Sequence, residues 1–169
     1  MNLSEPIVAE LQNEAMTTRK MLARVPQDTL AWKPHEKSMT MGRLAGHIAE
    51  IAGIFTTIVT QDELDFAARD YNPFVPVNVS DLLELFDKNV AVAVELLKTQ
   101  ADERLREPWR LRDGGQIFFE IPRMAAIRTM SNHLIHHRGQ LSVYLRSLNV
   151  PLPPIYGPTA DEAASFQER

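Results

Sequence analysis

The fold of this chain is decided by residues 44–58, Leu-Ala-Gly-His-Ile-Ala-Glu-Ile-Ala-Gly-Ile-Phe-Thr-Thr-Ile, which have the pattern of one long helix. Large apolar residues recur there every three or four positions and so form one buried stripe: Leu44, Ile48, Ile51, Phe55 and Ile58. A second face carries small residues: Gly42, Ala45, Gly46, Ala49 and Gly53. Such a face lets another helix approach closely, which would offset the roughly 1 kcal/mol that each helical glycine costs relative to alanine. The pattern therefore predicts a helix packed within a helical bundle.

The prolines extend this prediction outward, because an interior proline breaks a helix. Four intervals between prolines carry helical periodicity, and they predict helices from Ser4 to about Val25, from Ser38 or Thr40 to Thr60, from Ser80 through Leu97, and from Pro122 to about Asn149. Ser4 and Ser80 are the expected N-caps. Residues 90–94, Val-Ala-Val-Ala-Val, could also form a strand, but the helical spacing on both sides favours a helix.

The segments between these helices carry turn signals. Asp113-Gly114-Gly115 separates two apolar runs, so we expect a short hairpin or extended excursion between Trp109 and Ile121. Residues 65–79 have the pattern of a proline-punctuated loop or partial helix. We therefore predict an all-α fold, a four-helix bundle with a short extended or hairpin excursion before the last long helix, in a single domain over residues 1–169.

The composition excludes several classes of function. The chain has no cysteine, which excludes disulfide frameworks, cysteine-ligated zinc, iron–sulfur clusters and a cysteine nucleophile. Its 18 Lys and Arg against 22 Asp and Glu give a net charge of −4, which argues against nucleic acid or an anionic membrane as a partner. No apolar run approaches the ~18–20 residues of a membrane span, and the first residues lack the pattern of a signal peptide. We expect a cytoplasmic protein that acts on a small molecule.

The histidines carry the strongest chemical signal. Three of the five fall in the run His133-Leu134-Ile135-His136-His137. His133 and His137 are four positions apart, so they stack on one face of the predicted last helix and could grip one metal ion. That face continues the buried stripe of the helix. A grip by His133 and His136 stays open as an alternative, although His136 is better placed for packing or for supporting a ligand.

His47 supplies a third candidate ligand on another helix, since its spacing from Leu44 and Ile51 points it inward. A buried imidazole without a partner costs about 1–3 kcal/mol, so three of them in one core need many hydrogen-bond partners or one shared metal. Three neutral imidazoles suit Zn²⁺, Ni²⁺ or a related ion and leave a position open for water or substrate. Glu50, one turn beyond His47, could support that histidine or accept a proton, or be a solvated surface charge. His35 falls in a polar loop and is expected to be solvated.

Three stretches of the chain together resemble the DinB family, part of the wider DinB/YfiT-like metalloenzyme superfamily. They are Trp32 to Glu50 (WKPHEKSMTMGRLAGHIAE), Asn132 to Leu141 (NHLIHHRGQL) and Val150 to Glu162 (VPLPPIYGPTADE). They occur in the family's order and spacing and cover nearly the whole chain. The resemblance implies a four-helix bundle with a divalent metal held by three histidines, which correspond here to His47, His133 and His137.

The resemblance also carries expectations about chemistry. The superfamily includes isomerases and S-transferases that use low-molecular-weight thiols, and others regarded as hydrolases. For this chain it implies an enzyme, dependent on a divalent metal, that activates a thiol co-substrate or water toward a small electrophile. Glu50 and Tyr156 are the candidates for proton handling or substrate contact, and residues 72–77 and 113–115 are expected to set specificity. Dimers among relatives predict a homodimer.

Two alternatives stay open. The bundle could hold a metal or a small molecule without turning it over, in which case the protein would close off the coordination sphere; an enzyme needs an open, water-accessible position. It could also be a plain bundle that acts through dimerisation, with the histidines as packing residues. Such a protein would carry no stoichiometric metal, and a chelator would leave its melting temperature unchanged.

Overall fold

The structure is a computed structural model that describes residues 2–68 and 70–161. Within those residues the chain forms five α-helices: α1 (Ser4–Leu22), α2 (Met41–Thr60), α3 (Val79–Lys98), α4 (Asp102–Arg106) and α5 (Arg123–Ser147). The same residues form three strands: β1 (Glu63–Asp65), β2 (Pro108–Asp113) and β3 (Gln116–Pro122). Met1, Arg69 and residues 162–169 of the predicted domain lie outside the described residues.

The four long helices are those that the periodicity predicts, and residues 90–94 are helical within α3. Helix α2 packs against α3 and α5, and α1 packs against the same two helices, so the four surround a common interior. The predicted apolar stripe of α2 is buried along its whole length. No helix within residues 2–68 and 70–161 combines the length and the apolar character that crossing a membrane requires.

The helix starts differ in detail from the predicted caps. Helix α3 is capped by Asn78 rather than Ser80, because the Asn78 side-chain oxygen accepts both a helix N–H at 2.8 Å and the Ser80 hydroxyl at 2.7 Å. Ser4 is the first residue of α1 and makes no capping bond to the helix. Thr40 caps α2, one of the two predicted starts, by accepting a backbone N–H at 3.2 Å. The side-chain oxygens of Asn and Ser can both accept the N–H that caps a helix. Residue type alone therefore does not decide which of two nearby residues is the cap.

The small-residue face of α2 packs against a loop as well as against a helix. Gly53 lies against Asn89 of α3, as the predicted close approach of helices requires. Gly46 instead lies against Phe74, in the loop between β1 and α3, and a Cβ at position 46 would overlap the Phe74 carbonyl oxygen. The glycine that precedes His47 therefore makes room for a loop crossing at the turn that carries this histidine.

The predicted hairpin is present but belongs to a three-stranded sheet, so the fold is mostly helical rather than all-α. Strands β2 and β3 pair antiparallel around Gly114 and Gly115, and Gly114 has the positive φ of 53° that such a turn favours. A bulge leaves Phe118 of β3 without a partner in β2. Strand β1 pairs parallel with β2. The sequence pattern does not predict β1, because three residues are too few to show alternation.

Two buried residues fix the sheet to one end of the bundle. Trp109 of β2 is fully buried in the core between the sheet and the helices. Arg123, the first residue of α5, is also fully buried and donates to the backbone carbonyls of Ile58 and Gln61 and to the Asp62 side chain. These bonds satisfy carbonyls that the C-terminus of α2 would leave free. They also hold α2 against α5, the two helices that carry the candidate metal ligands.

Candidate metal centre

Three of the histidines converge between α2 and α5. His47 lies on α2, and His133 and His137 lie one turn apart on α5. Their ligand atoms lie within 4.8 Å of one another. Among the residues that the structure describes, they are the one group of three or more histidine or acidic side chains close enough together to hold a single metal ion.

The three rings direct their Nε2 atoms toward one point. The Nε2 of His133 lies 3.1 Å from the Nε2 of His47 and 3.0 Å from the Nε2 of His137. The ring centroids are 4.5 to 5.3 Å apart, and the ring planes are inclined to one another by 71° to 81°. The rings therefore meet edge to edge through nitrogen rather than stacking.

Hydrogen bonds among the rings can account for only one of these two close contacts. A neutral imidazole has one N–H, so an Nε2–H on His133 could reach His47 or His137 but not both. The Nδ1 of His137 lies 2.7 Å from Oε1 of Gln140, which only accepts, so the hydrogen of His137 is on Nδ1 and its Nε2 presents a lone pair. Converging lone pairs fit a shared cation. Nitrogens about 2.1 Å from one tetrahedral Zn²⁺ lie about 3.4 Å apart, close to the spacings here.

The surroundings of all three imidazoles favour the neutral form, which is the form that binds metal. Burial, followed by the electrostatic influence of His137 and Arg43, lowers the pKa of His47 to about 4. Burial is also the main cause that lowers the pKa of His133 and the pKa of His137 below their ordinary value. Near neutral pH, protons therefore compete little with a cation for these nitrogens.

Glu50 lies beside His47 and is not a solvated surface charge. Its side chain is 18% exposed, and its Oε2 lies 3.7 Å from the Nδ1 of His47. Arg43 and the Tyr71 hydroxyl donate to Oε2, each at 2.9 Å, and the Phe74 N–H donates to Oε1 at 2.6 Å. The structure therefore brings Glu50 next to a candidate ligand, with donors already bound to both of its oxygens.

The other two histidines are exposed and outside the converging group. The ring centroid of His136 lies 5.1 Å from that of His137, so His136 flanks the group without joining it. His35 is exposed, as predicted from its polar loop. The i, i+3 grip by His133 and His136 is therefore not the arrangement in the structure.

Tyr156 lies at the junction of α1, α5 and the C-terminal tail. Its hydroxyl is bonded to the Glu14 carboxylate at 2.8 and 2.9 Å and to Arg138 at 2.6 Å, while the residue as a whole is 72% exposed. No hydrogen bond or ring contact joins Tyr156 to the three candidate ligands within the described part of the chain. The structure does not bring this residue together with Glu50.

Of the two loops expected to set specificity, one adjoins the histidines. Phe74, within residues 72–77, contacts Gly46 and Glu50 on the turns of α2 that flank His47. The turn at residues 113–115 is held at β1, where the Asp65 side chain accepts the Gly114 N–H at 2.9 Å.

The sequence patterns do not single out three residues that surround the histidines. Arg43 precedes His47 by four positions and Gln140 follows His137 by three, so their helical spacing is a signal that could identify both. Tyr71 has no such signal, because it lies in an irregular loop and reaches Glu50 only through the tertiary fold.

The fold and the converging imidazoles define a class: a mostly helical bundle with a three-histidine site between two of its helices. The model of the DinB family matches residues 1–169, and the chain belongs to the DinB family. It is 30% identical over 154 residues to the uncharacterized protein YrdA of Bacillus subtilis strain 168, which covers 90% of this chain and 87% of YrdA.

Solved structures share the fold. A DinB-like protein from Bacillus cereus ATCC 10987 is similar with a TM-score of 0.72 at 24% identity, over 90% of this chain and 97% of that one. YfiT from Bacillus subtilis is similar with a TM-score of 0.68 at 14% identity, over 88% of this chain and 89% of that one. YfiT is described as a probable metal-dependent hydrolase with an unusual four-helix bundle topology. At these identities the likeness concerns the fold alone.

Proposed function

We propose that this protein is a metal-dependent enzyme in which His47, His133 and His137 bind one divalent cation, Zn²⁺ or Ni²⁺, through Nε2. The convergence of three neutral Nε2 atoms, with neighbours at 3.0 and 3.1 Å, carries the proposal. Three protein ligands are typical of catalytic sites, whereas structural zinc sites use four. The likeness of the fold to YfiT, described as a probable metal-dependent hydrolase, supports the same kind of chemistry.

For the nucleophile we propose a low-molecular-weight thiol, with water as the alternative, and for the substrate a small electrophile. A bound divalent cation supplies Lewis acidity, which lowers the pKa of a thiol or of water toward neutrality. The chain has no cysteine, so a thiol has to arrive as a co-substrate. With water in its place the protein is a hydrolase.

The chain's own residues orient the site. Gln140 fixes the ring of His137 through Nδ1, and the packing of α2 against α5 sets the distance between His47 and the other two ligands. Arg43 and Glu50 place a positive and a negative charge beside His47. A role of Tyr156 in substrate contact stays a prediction.

Elemental analysis of protein purified without a polyhistidine tag tests metal binding. We expect about one zinc or nickel per chain in the wild type and at least a tenfold lower content in His133→Ala, because two imidazoles bind far more weakly than three. His136→Ala is the matched control and should keep its metal, since His136 lies outside the converging group. A wild-type protein without stoichiometric metal would contradict the proposal.

Turnover identifies the nucleophile. Metal-loaded protein is incubated with a chromogenic electrophile, with and without several cellular thiols. Adduct formation that needs both thiol and protein, and is lost in His47→Ala, supports thiol transfer. Product formed without thiol, again lost in His47→Ala, supports hydrolysis. If neither rate exceeds that of His47→Ala, the enzyme proposal fails and a binding role for the site is favoured.

A further inference from the structure

The Glu50 carboxylate joins two parts of the chain, helix α2 and the loop between β1 and α3. Its Oε2 accepts hydrogen bonds from Arg43, which lies on α2 as Glu50 does, and from the Tyr71 hydroxyl. Its Oε1 accepts a hydrogen bond from the Phe74 N–H. The Arg43 guanidinium also bonds the Tyr71 hydroxyl at 2.6 Å, which closes a ring of three bonded side chains. We name residues 70–74 the 70–74 loop. Glu50 thus ties this loop to α2 at two points.

On its other side, Glu50 faces His47. The Nδ1 of His47 is buried and has no hydrogen-bond partner among the described residues. The Glu50 Oε2 lies 3.7 Å from it, too far for a hydrogen bond and close enough for a small rotation of either side chain to form one. A histidine that binds metal through Nε2 carries its hydrogen on Nδ1, and that N–H is usually donated to a carboxylate or carbonyl.

The 70–74 loop packs closely against α2 beside His47. The Phe74 backbone crosses α2 directly over Gly46, the residue before His47. The Tyr71 residue is largely exposed, while its hydroxyl reaches the partly buried ion pair of Arg43 and Glu50. Phe74 and Tyr71 therefore connect the loop directly to Glu50, the neighbour of His47.

We propose that Glu50 is a positioning residue that accepts the Nδ1 hydrogen of His47 and thereby couples the order of the 70–74 loop to metal binding. The inference rests on the metal site of the proposed function. In this role Glu50 accepts a hydrogen bond from the Nδ1–H of His47 and does not remove its proton. Coupling is reciprocal, so a bound metal orders the loop and an ordered loop raises the affinity for metal.

The first test measures the affinity for Co²⁺ by competition with a chelator. Glu50→Gln keeps the shape of the side chain but replaces one acceptor oxygen by an NH₂ group, which cannot accept from both Phe74 and the donors at Oε2. We expect the affinity to fall by about 10–100-fold, the usual effect of removing a partner that orients a ligand. Asp87→Asn is the control, because it removes another carboxylate–arginine pair, to Arg19, between α1 and α3.

The second test measures hydrogen exchange of the Phe74 amide with and without Co²⁺. In the wild type we expect at least tenfold slower exchange when the metal is bound. In Glu50→Gln exchange should be fast in both states, so that the metal no longer changes it. A purely structural role would slow or speed exchange equally with and without metal. Should Glu50→Gln fail to fold, Tyr71→Phe removes one of the two loop attachments and should reduce the metal-dependent change in exchange.

The outcomes separate this inference from the proposed function. If the wild type binds no Co²⁺, the proposed function fails as well. If the wild type binds Co²⁺ and Glu50→Gln binds it equally tightly, or if Co²⁺ leaves Phe74 exchange unchanged in the wild type, the metal site stands and the positioning role of Glu50 is wrong.

Discussion

Gly46 shows how one residue determines what lies beside a candidate ligand. In Gly46→Ala the added methyl would overlap the Phe74 carbonyl oxygen and lie 3.2 Å from the Phe74 ring, so the loop has to move. Overpacking of this kind typically costs about 1–3 kcal/mol. We expect a free energy of unfolding lower by roughly that amount, measured by urea denaturation, together with weaker metal binding at His47.

Gly139→Ala on α5 is the matched control for this substitution. Nothing lies within 4 Å of a Cβ at position 139, so alanine should stabilise the helix by up to about 1 kcal/mol. Opposite signs for the two substitutions are the expected result. A Gly46→Ala protein as stable as the wild type would show that the loop does not need its close approach to α2.

For single residues, the sequence predicts that His47, His133 and His137 lie close together, but it does not predict the residues that surround them. His133 and His137 follow from i, i+4 spacing, and His47 from its place between apolar residues, since helical geometry alone brings such side chains to one face. Glu50 could be proposed from spacing but its role could not, because two of its partners come from a loop. Contacts of Tyr71 and Phe74 with α2 depend on tertiary structure, which leaves no local pattern.

At the scale of secondary-structure elements, hydrogen bonds from Arg123 hold the start of α5 against the end of α2. Arg123→Met keeps much of the volume but removes this donor from the buried carbonyl of Ile58 and from the partly buried bond to the Gln61 carbonyl. Each buried group that loses its partner costs about 1–3 kcal/mol. We expect a loss of about 3 kcal/mol in the free energy of unfolding.

Arg123→Lys tests whether a positive charge alone can replace the guanidinium. A single ammonium cannot reproduce the forked geometry with which the guanidinium reaches two carbonyls and Asp62, so lysine should restore only part of the stability. Thermal denaturation of both variants provides the measurement. Wild-type stability in either one would mean that the C-terminus of α2 is satisfied in some other way.

Helices and strands that have a strong local sequence pattern could be predicted, and those without such a pattern could not. Long amphipathic helices and the Asp-Gly-Gly hairpin follow from periodicity and turn chemistry. Strand β1 does not, because its pairing with β2 depends on residues more than forty positions away along the chain. Helix α4 has five residues, fewer than two turns, and so has no periodicity to detect.

For the whole molecule, a cation shared by α2 and α5 would be a cross-link between two of the four long helices. A ligand present at about 1,000 times its Kd stabilises the folded state by about 4 kcal/mol. For a domain of this size each kcal/mol corresponds to roughly 2–4 °C in Tm. We therefore expect a chelator to lower the Tm of the metal-loaded protein by about 10 °C.

The same measurement on His133→Ala provides the comparison, because a chelator should leave the Tm of that variant almost unchanged. An equal response of both proteins would place the stabilising metal elsewhere. No response of the metal-loaded wild type would favour a bundle in which the histidines serve only as packing residues.

The bulge at Phe118 affects how copies of the chain can associate with one another. Strand β3 is the last in its sheet, so one of its edges is free of a neighbouring strand among the described residues, and its run Ile117-Phe118-Phe119 has the composition of segments that stack into fibrils. The extra residue bends and twists this edge, which prevents a second chain from aligning along it in a flat ribbon. We therefore expect the bulge at Phe118 to disfavour edge-to-edge association of chains through β3.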